Sequence, residues 1–120
     1  RPFAPGALVL DLATGVGATA LELTRRWPGL HVIGVDLSKT QLDAARQASA
    51  QLPLIHADAT RLPVAPGVFD VVHCTWLLEH VRDPVAILRE VKRVLKPGGF
   101  CQFVEVENDT FATLGALVMP

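Results

Sequence analysis

The stretch LVLDLATGVGATALELTRRW, from Leu8 to Trp27, decides the fold. It begins with a short apolar run typical of a buried strand, breaks at Gly15 and Gly17, and continues with apolar residues at helical spacing. A strand, a glycine turn and a helix in this order are the first half of a β-α-β unit. Asp11 lies near the end of the apolar run, where an acid gains nothing from packing. The stretch therefore predicts a turn that binds a charged small molecule.

The rest of the chain repeats this alternation. Strands are predicted at 7–12, 31–36, 54–57, 68–74 and 100–107, and helices at 17–27, at 38–49 and from 84 up to the KPGG segment at 96–99. Ser38 with Gln41 is a capping box, and Asp83 is an N-cap before Pro84 at the first helical position. Because parallel strands need crossover connections, the pattern predicts an α/β domain with a parallel sheet and helices on both faces.

Composition places the chain among small globular proteins. Its 120 residues suffice for a single domain, half of them are hydrophobic, and the net charge is −1. A net charge this small gives no electrostatic reason to expect binding to nucleic acid or to a membrane surface. No apolar run in the sequence reaches the roughly 18 residues of a membrane span. We expect a cytoplasmic setting. Because the chain begins at Arg1, we also expect it to be a truncated part of a longer protein.

Ligands of open α/β sheets bind at the carboxyl ends of the strands. The candidate residues at such ends are Asp11, Gly15, Gly17, Asp36, Asp58 and Cys74. Gly15 and Gly17 allow a close approach of ligand to backbone, and the helix that follows offers unpaired N–H groups. Asp36 lies 19 residues after Gly17, at the end of the second strand, where a carboxylate can bind ribose hydroxyls. These positions predict a nucleoside ligand.

Two nucleoside cofactors fit this pattern. The spacing Gly15-x-Gly17-x-x-Ala20 matches the dinucleotide fingerprint, so an NAD-binding oxidoreductase domain is one interpretation. Asp11 argues against it, because a carboxylate at the turn would repel a pyrophosphate and attract an ammonium group. S-adenosylmethionine carries both a ribose and an α-amino acid, and it is the cofactor that we predict.

Four segments in order resemble a class I S-adenosylmethionine-dependent methyltransferase of the small-molecule kind called type 11. They are VLDLATGVG, VIGVDLS, HADATRLP and FDVVHCTWLLEHVRDPVAILREVKRVLKPGGF, and the resemblance covers roughly residues 6–107. It implies a Rossmann-like, doubly wound parallel sheet of strand order 3-2-1-4-5, which lacks the last two of the family's seven strands. It also implies methyl transfer from S-adenosylmethionine to a small-molecule acceptor. A methyltransferase-like module that binds without catalysis is a further alternative.

The resemblance implies nine cofactor-binding residues, which are Asp11, Ala13, Gly15, Gly17, Asp36, Leu37, Asp58, Ala59 and Cys74. Asp36 would hold the ribose and Leu37 would pack on the adenine. Asp58 would accept from the adenine amino group, or would only cap a turn. Cys74 would act through its backbone carbonyl, with an inert buried thiol. Ala13 stands in place of the first glycine of the family's first motif, which narrows the loop slightly.

The catalytic residues are not specified by the sequence. His73 and His80 are each a candidate general base facing the acceptor, and for His80, in LLEHV, a surface or capping role is the alternative. A base is needed only when the acceptor must lose a proton, since methyl transfer depends chiefly on alignment of donor and acceptor. No cluster has metal-ligand spacing, so no metal is predicted.

Two expectations concern the end of the sheet. With five strands, the fifth would be an apolar edge, and FATLGALVM at 111–119 is interpreted as helical. We therefore expect a second copy of the chain, or a further segment, to cover that edge. Cys74 ends the fourth strand and Cys101 begins the fifth. These cysteines are expected about 20 Å apart as free thiols, because a disulfide needs Cα atoms within about 7 Å.

Overall fold

One mixed sheet organises the molecule. The computed structural model describes the backbone of residues 4–75, 82–107 and 110–118, and the side chains of residues 4–74 and 82–102. The elements along these ranges are β1 (Leu8–Leu12), α1 (Ala18–Arg26), β2 (His31–Asp36), α2 (Lys39–Ala48), β3 (Leu54–His56), β4 (Phe69–Thr75), α3 (Pro84–Val94), β5 (Leu95–Glu107) and β6 (Thr110–Val118). The strand order is β3-β2-β1-β4-β5-β6.

The first five strands are parallel neighbours in the order 3-2-1-4-5, which confirms the predicted fold class. Alternate residues of each strand enter two separate cores, as the strand period of two requires. Leu10 and Val72 face the core that includes Ile87 of α3. Val9 and Val71 face the core that is closed by α1. The sheet is therefore covered on both faces.

The helices begin where the sequence predicts. The Ser38 hydroxyl accepts a bond from Gln41 N at 3.3 Å, and the Asp83 carboxylate accepts one from Ala86 N at 3.0 Å. Each bond satisfies an amide that the first helical turn would otherwise leave unpaired. Gly17, at the start of α1, has φ 82° and supplies the left-handed turn that ends the glycine loop.

The prediction of a helix at 111–119 is wrong. Residues Thr110–Val118 form β6, which pairs antiparallel with β5. A helix would satisfy only its own backbone, whereas a strand also satisfies the amides and carbonyls along the edge of β5. Threonines and a phenylalanine in this segment favour the strand as well. The edge of β5 that faces away from β4 is thus paired with β6 of the same chain.

The predicted start of the fifth strand is also wrong. Helix α3 ends at Val94 and β5 begins directly at Leu95, so the KPGG segment belongs to the strand. The pairing with β4 shifts between Phe69 and Val71, and Gly98 adopts φ 82° within the shifted part. A bulge of this kind lets extra residues join a strand without breaking its pairing.

No disulfide joins Cys74 and Cys101, as predicted, and both are buried, but their expected separation is wrong. Cys101 lies opposite Val72, only two positions from Cys74 along β4. Because β5 starts before residue 100, Cys101 lies inside the strand rather than at its far end. Both thiols face the α3 core. Burial, with a smaller effect of Cys74, raises the pKa of the Cys101 thiol to about 12.

Candidate cofactor site

A cavity of about 340 Å³ opens at the carboxyl ends of β2 and β3, beside the start of α3. Five of the nine predicted cofactor-binding residues line it: Ala13, Asp36, Leu37, Asp58 and Ala59. The lining is completed by Val35, Ala57, Thr60, Arg82, Asp83 and Ile87. The remaining predicted residues, Asp11, Gly15, Gly17 and Cys74, lie outside this lining. The nucleoside half of the prediction therefore converges on one place.

Asp36 is a half-buried carboxylate whose two oxygens are each oriented by a backbone amide. Oδ1 accepts from Ser38 N and Oδ2 accepts from Gly15 N, both at 2.8 Å. An ionised carboxylate offers about four acceptor positions, so about one remains on each oxygen. Two acceptor positions on adjacent oxygens suit the two vicinal hydroxyls of a ribose.

Leu37 presents an apolar surface to the same cavity. Leu37 is 65% exposed, which is uncommon for a leucine, while Ile87, which also lines the cavity, is 2% exposed. His56 Nε2 lies 2.8 Å from the Leu37 carbonyl oxygen and fixes the backbone at this point. A flat aromatic ring placed beside Leu37 would remove apolar surface from water, which favours binding.

Asp58 caps the turn after β3. Its Oδ1 accepts from the amide of Thr60 at 2.9 Å and from the Thr60 hydroxyl at 2.8 Å. The hydrogen bond from the backbone N–H of Thr60 is the main cause that lowers the pKa of the Asp58 carboxyl. The turn-capping alternative is thus part of the structure. It is compatible with an adenine contact, because these bonds use only part of the carboxylate's acceptor capacity.

Three backbone amides of the glycine loop are already bonded within the protein. Thr14 N donates to the Val35 carbonyl and Gly17 N to the Thr14 carbonyl, each at 2.8 Å. Gly15 N donates to Asp36, as described above. A pyrophosphate bound in this loop would need such amides as donors. These three amides are therefore not available to a phosphate group.

Asp11 lies beneath the loop rather than in the cavity. It is 1% exposed, and its Oδ2 accepts from the Thr14 hydroxyl at 2.8 Å. Its Oδ1 lies 3.2 Å from Nδ1 of His73, which is 6% exposed. Sequence reasoning missed this pairing. Aligning the ends of the neighbouring strands, with Leu12 opposite Cys74, would have placed Asp11 beside His73.

A second missed feature holds the loop that carries Asp58. The Glu90 carboxylate accepts from Leu62 N at 2.6 Å, and Arg93 donates to the carbonyls of Leu62 at 3.0 Å and Val64 at 2.8 Å. Arg93 also bonds Glu90, which lowers the pKa of the Glu90 carboxyl. The sequence signal was the Glu-x-x-Arg spacing on α3, which places both side chains on one helix face.

Other predicted features are decided only in part. His80 lies outside the described residues. Within residues 4–75, 82–107 and 110–118, no group of three or more His, Cys, Asp or Glu side chains could hold a metal ion. The helices of those same ranges are all too short or too polar to cross a membrane.

The fold and this site together define a Rossmann-like domain that binds a nucleoside cofactor. A family model described as a methyltransferase domain matches residues 10–103, so the chain belongs to the type 11 methyltransferase domain family. This membership confirms the predicted family, disfavours the NAD alternative and implies S-adenosylmethionine as the cofactor.

Known proteins similar to this chain agree with that membership. A demethylmenaquinone methyltransferase of Mycolicibacterium paratuberculosis is 41% identical over 113 residues, which cover 92% of this chain and 47% of the relative. A solved structure named as an S-adenosylmethionine-dependent methyltransferase from Methanosarcina mazei has a TM-score of 0.80 at 27% identity, covering 86% of this chain and 54% of its own.

A third similar protein carries a different activity in its name. The solved structure of the cyclase SpnF has a TM-score of 0.78 at 29% identity, and the match covers 86% of this chain and 40% of that one. The chain spans about half the length of the curated relatives it matches.

Proposed function

We propose that this chain binds S-adenosylmethionine in the cavity and supports transfer of its methyl group to a small-molecule acceptor. The observation that carries the proposal is the arrangement around Asp36. Two backbone amides orient its carboxylate, and both oxygens keep acceptor capacity toward the cavity. Leu37 adds an exposed apolar surface beside it. A ribose and an attached base match this pair of features.

The other predicted residues follow from this placement. Asp36 would accept from the ribose hydroxyls, and Asp58 with Ala59 would meet the edge of the adenine. Gly15 and Gly17 let the backbone pass close to the amino-acid end of the cofactor. Asp11 would favour the ammonium group from below the loop, directly or through water. The carbonyl of Cys74, at the end of β4, would lie on the same side.

Two observations support this cofactor over a dinucleotide. Three loop amides, those of Thr14, Gly15 and Gly17, are engaged by protein acceptors, which leaves fewer donors for phosphate oxygens. The cavity is also lined by three carboxylates, those of Asp36, Asp58 and Asp83, beside Arg82. Three carboxylates in one lining would repel the phosphate groups of a dinucleotide and would not oppose a neutral nucleoside.

The cofactor would supply a methyl group on its sulfonium, and the neutral thioether of S-adenosylhomocysteine would be the leaving group. The task of the chain is then to hold that sulfonium in line with the acceptor and to exclude water, and proximity provides most of the catalysis. A general base is needed where the acceptor loses a proton. His80 stays a prediction for that role.

The first acceptor to test is a hydroquinone with a fused aromatic ring. The name of the relative with 41% identity motivates this choice. The cyclase neighbour favours a second candidate function, in which this fold serves a reaction other than methyl transfer. We further propose a cytoplasmic protein whose partners are small molecules rather than nucleic acid or membrane.

Calorimetric titration with S-adenosylhomocysteine and with NAD tests the cofactor proposal. We expect S-adenosylhomocysteine to bind and NAD to give no signal. Transfer of a labelled methyl group to a reduced demethylmenaquinone analogue then tests the reaction. Binding of NAD alone would overturn the cofactor assignment. Binding of S-adenosylhomocysteine without transfer to any quinol or phenol tested would favour the second candidate.

A further inference from the structure

A row of polar and small residues crosses the sheet below the glycine loop. Gly34 of β2, Asp11 of β1, His73 of β4 and Gln102 of β5 lie opposite one another in the strand register. The row occupies the face of the sheet that packs against α1. His73 is nearly buried, and none of the four residues lines the cavity. The role of His73 is not explained by the chemistry described so far.

The contact between His73 and Asp11 has a defined direction. A carboxylate without a proton can only accept, so Nδ1 of His73 must donate across the 3.2 Å that separates it from Asp11 Oδ1. The other oxygen of Asp11 accepts from the Thr14 hydroxyl. Asp11 is therefore held from both sides, and its orientation depends on the histidine.

Thr14 transmits that orientation to the loop. Its side chain packs where Gly34 leaves room, since a Cβ on Gly34 would lie 2.7 Å from Thr14 Oγ1. Its amide donates to Val35 O. The next amide in the chain, that of Gly15, donates to Asp36. A continuous series of bonded neighbours thus runs from His73 to the carboxylate in the cavity.

We propose that His73 is a positioning residue for the cofactor site. Through Asp11 and Thr14 it fixes the turn that aims Gly15 N at Asp36, so that the carboxylate faces the cavity before the cofactor arrives. This inference rests on the proposed function. Without the histidine, Asp11 and Thr14 gain other orientations, and the loop must be ordered during binding, which weakens affinity.

The test compares two substitutions of His73 by titration with S-adenosylhomocysteine. Asn places an amide N–H close to the position of Nδ1, whereas Leu has a similar size and no donor. We expect His73→Leu to weaken binding by about tenfold, which is about 1.4 kcal/mol, and His73→Asn to stay within about threefold of the wild type. Gln102→Leu is the matched control in the same row, and we expect it to leave the affinity unchanged.

A double-mutant cycle with Thr14→Val separates positioning from general stability. If both residues act through Asp11, the loss in the double variant is smaller than the product of the two single losses. The free energy of unfolding of each variant is measured in parallel. A His73→Leu variant that is less stable but binds S-adenosylhomocysteine as tightly as the wild type would overturn the proposal, and so would equal losses for Leu and Asn.

Two further outcomes concern a variant that does not fold and a wild-type protein that does not bind. If His73→Leu does not fold, His73→Gln replaces it, because its amide lies near the position of Nε2, away from Asp11. Wild-type affinity in His73→Gln would then overturn the inference. If the wild-type protein does not bind S-adenosylhomocysteine at all, the proposed function fails and this inference fails with it. Wild-type binding with no difference among the variants rejects the inference alone.

Discussion

Asp11 and Asp36 stand at equivalent places in sequence and at very different places in the structure. Each follows an apolar run at the end of a strand, and the two strands are parallel neighbours. Asp11 is 1% exposed and is held by two side chains. Asp36 lines the open cavity and is held by two backbone amides. The same pattern of residues therefore produces an internal anchor in one strand and a ligand-binding group in the next.

The difference comes from where each strand ends. Asp11 is paired with Gly34 on one side and His73 on the other, so it lies within the sheet. Asp36 lies two positions beyond Gly34, where β2 leaves its pairing with β1. An acid with a strand on both sides is desolvated and needs internal partners, whereas Asp36, paired only with His56 of β3, can meet a solute.

Replacement of Asp11 should give the largest effect on stability. Asp11→Ala leaves a histidine ring nitrogen and the Thr14 hydroxyl buried without their acceptor. We expect a loss of about 3 kcal/mol in the free energy of unfolding, measured by urea denaturation. A loss below about 1 kcal/mol would show that Asp11 is not the anchor that the comparison requires.

Replacement of Asp36 should act mainly on binding. Asp36→Ala removes the acceptor for the ribose, and we expect S-adenosylhomocysteine to bind at least tenfold more weakly, or about 1.4 kcal/mol. Its effect on unfolding should be smaller than that of Asp11→Ala, because the amides it leaves are near solvent. Asp43→Ala, on the exposed face of α2, is the control. Unchanged affinity in Asp36→Ala would remove the ribose assignment.

This contrast also shows how much the sequence could predict. Asp36 was assigned from local signals, namely a strand, its end and the distance to Gly17, and the cavity contains it together with Leu37 and Asp58. The partner of Asp11 is His73, which lies 62 residues further along the chain, and the pairing depends on the register of β1 and β4. Local periodicity carries no information on that register.

The same limit explains the errors at the end of the sheet. Residues 110–118 form a strand because the edge of β5 is available to them, and this tertiary effect cannot be seen in the segment alone. The start of β5 at Leu95 likewise depends on the bulged pairing with β4. The separation of the cysteines was misjudged for that reason, although no disulfide joins them, as predicted.

Glu90 extends the comparison to an acid on a helix. Like Asp11 it anchors a loop, but it does so near the surface, with 16% of its side chain exposed and Arg93 34% exposed. The pKa of the Glu90 carboxyl lies below its usual value of 4.5, and the largest cause is the hydrogen bond from Arg93. A lowered folded pKa gives stability that is present above 4.5 and is lost as the pH falls through the folded value.

We therefore expect Glu90→Gln to reduce the free energy of unfolding by about 1 kcal/mol at pH 7, since solvent weakens the ion pair. The difference between wild type and variant should shrink below pH 4.5, the ordinary value for this carboxyl. Urea denaturation at pH 7 and near pH 3.5 measures both values. A difference that does not change with pH would mean that the Glu90 charge is not what holds the loop.

The smallest effect is expected at Ala13, which lies between the two acids in the loop. It has φ 57°, a left-handed conformation that favours glycine, and it occupies the place of the first glycine in the family's motif. An alanine in this conformation costs about 1 kcal/mol relative to glycine. Glycine, however, lowers stability by about 0.4–1 kcal/mol, because it gives the unfolded chain more conformational freedom to lose on folding.

The two contributions nearly cancel, so Ala13→Gly should change the free energy of unfolding by less than about 0.5 kcal/mol and leave S-adenosylhomocysteine affinity unchanged. The loop would then keep its shape because Asp11 and Thr14 hold it, not because of the residue at position 13. Ala13→Val, a branched side chain in the same conformation, serves as the contrast and should lower stability by more than about 1 kcal/mol. A gain above about 1 kcal/mol in Ala13→Gly would show that strain at Ala13 opposes the anchor, and the buried acid would then hold the loop against that strain.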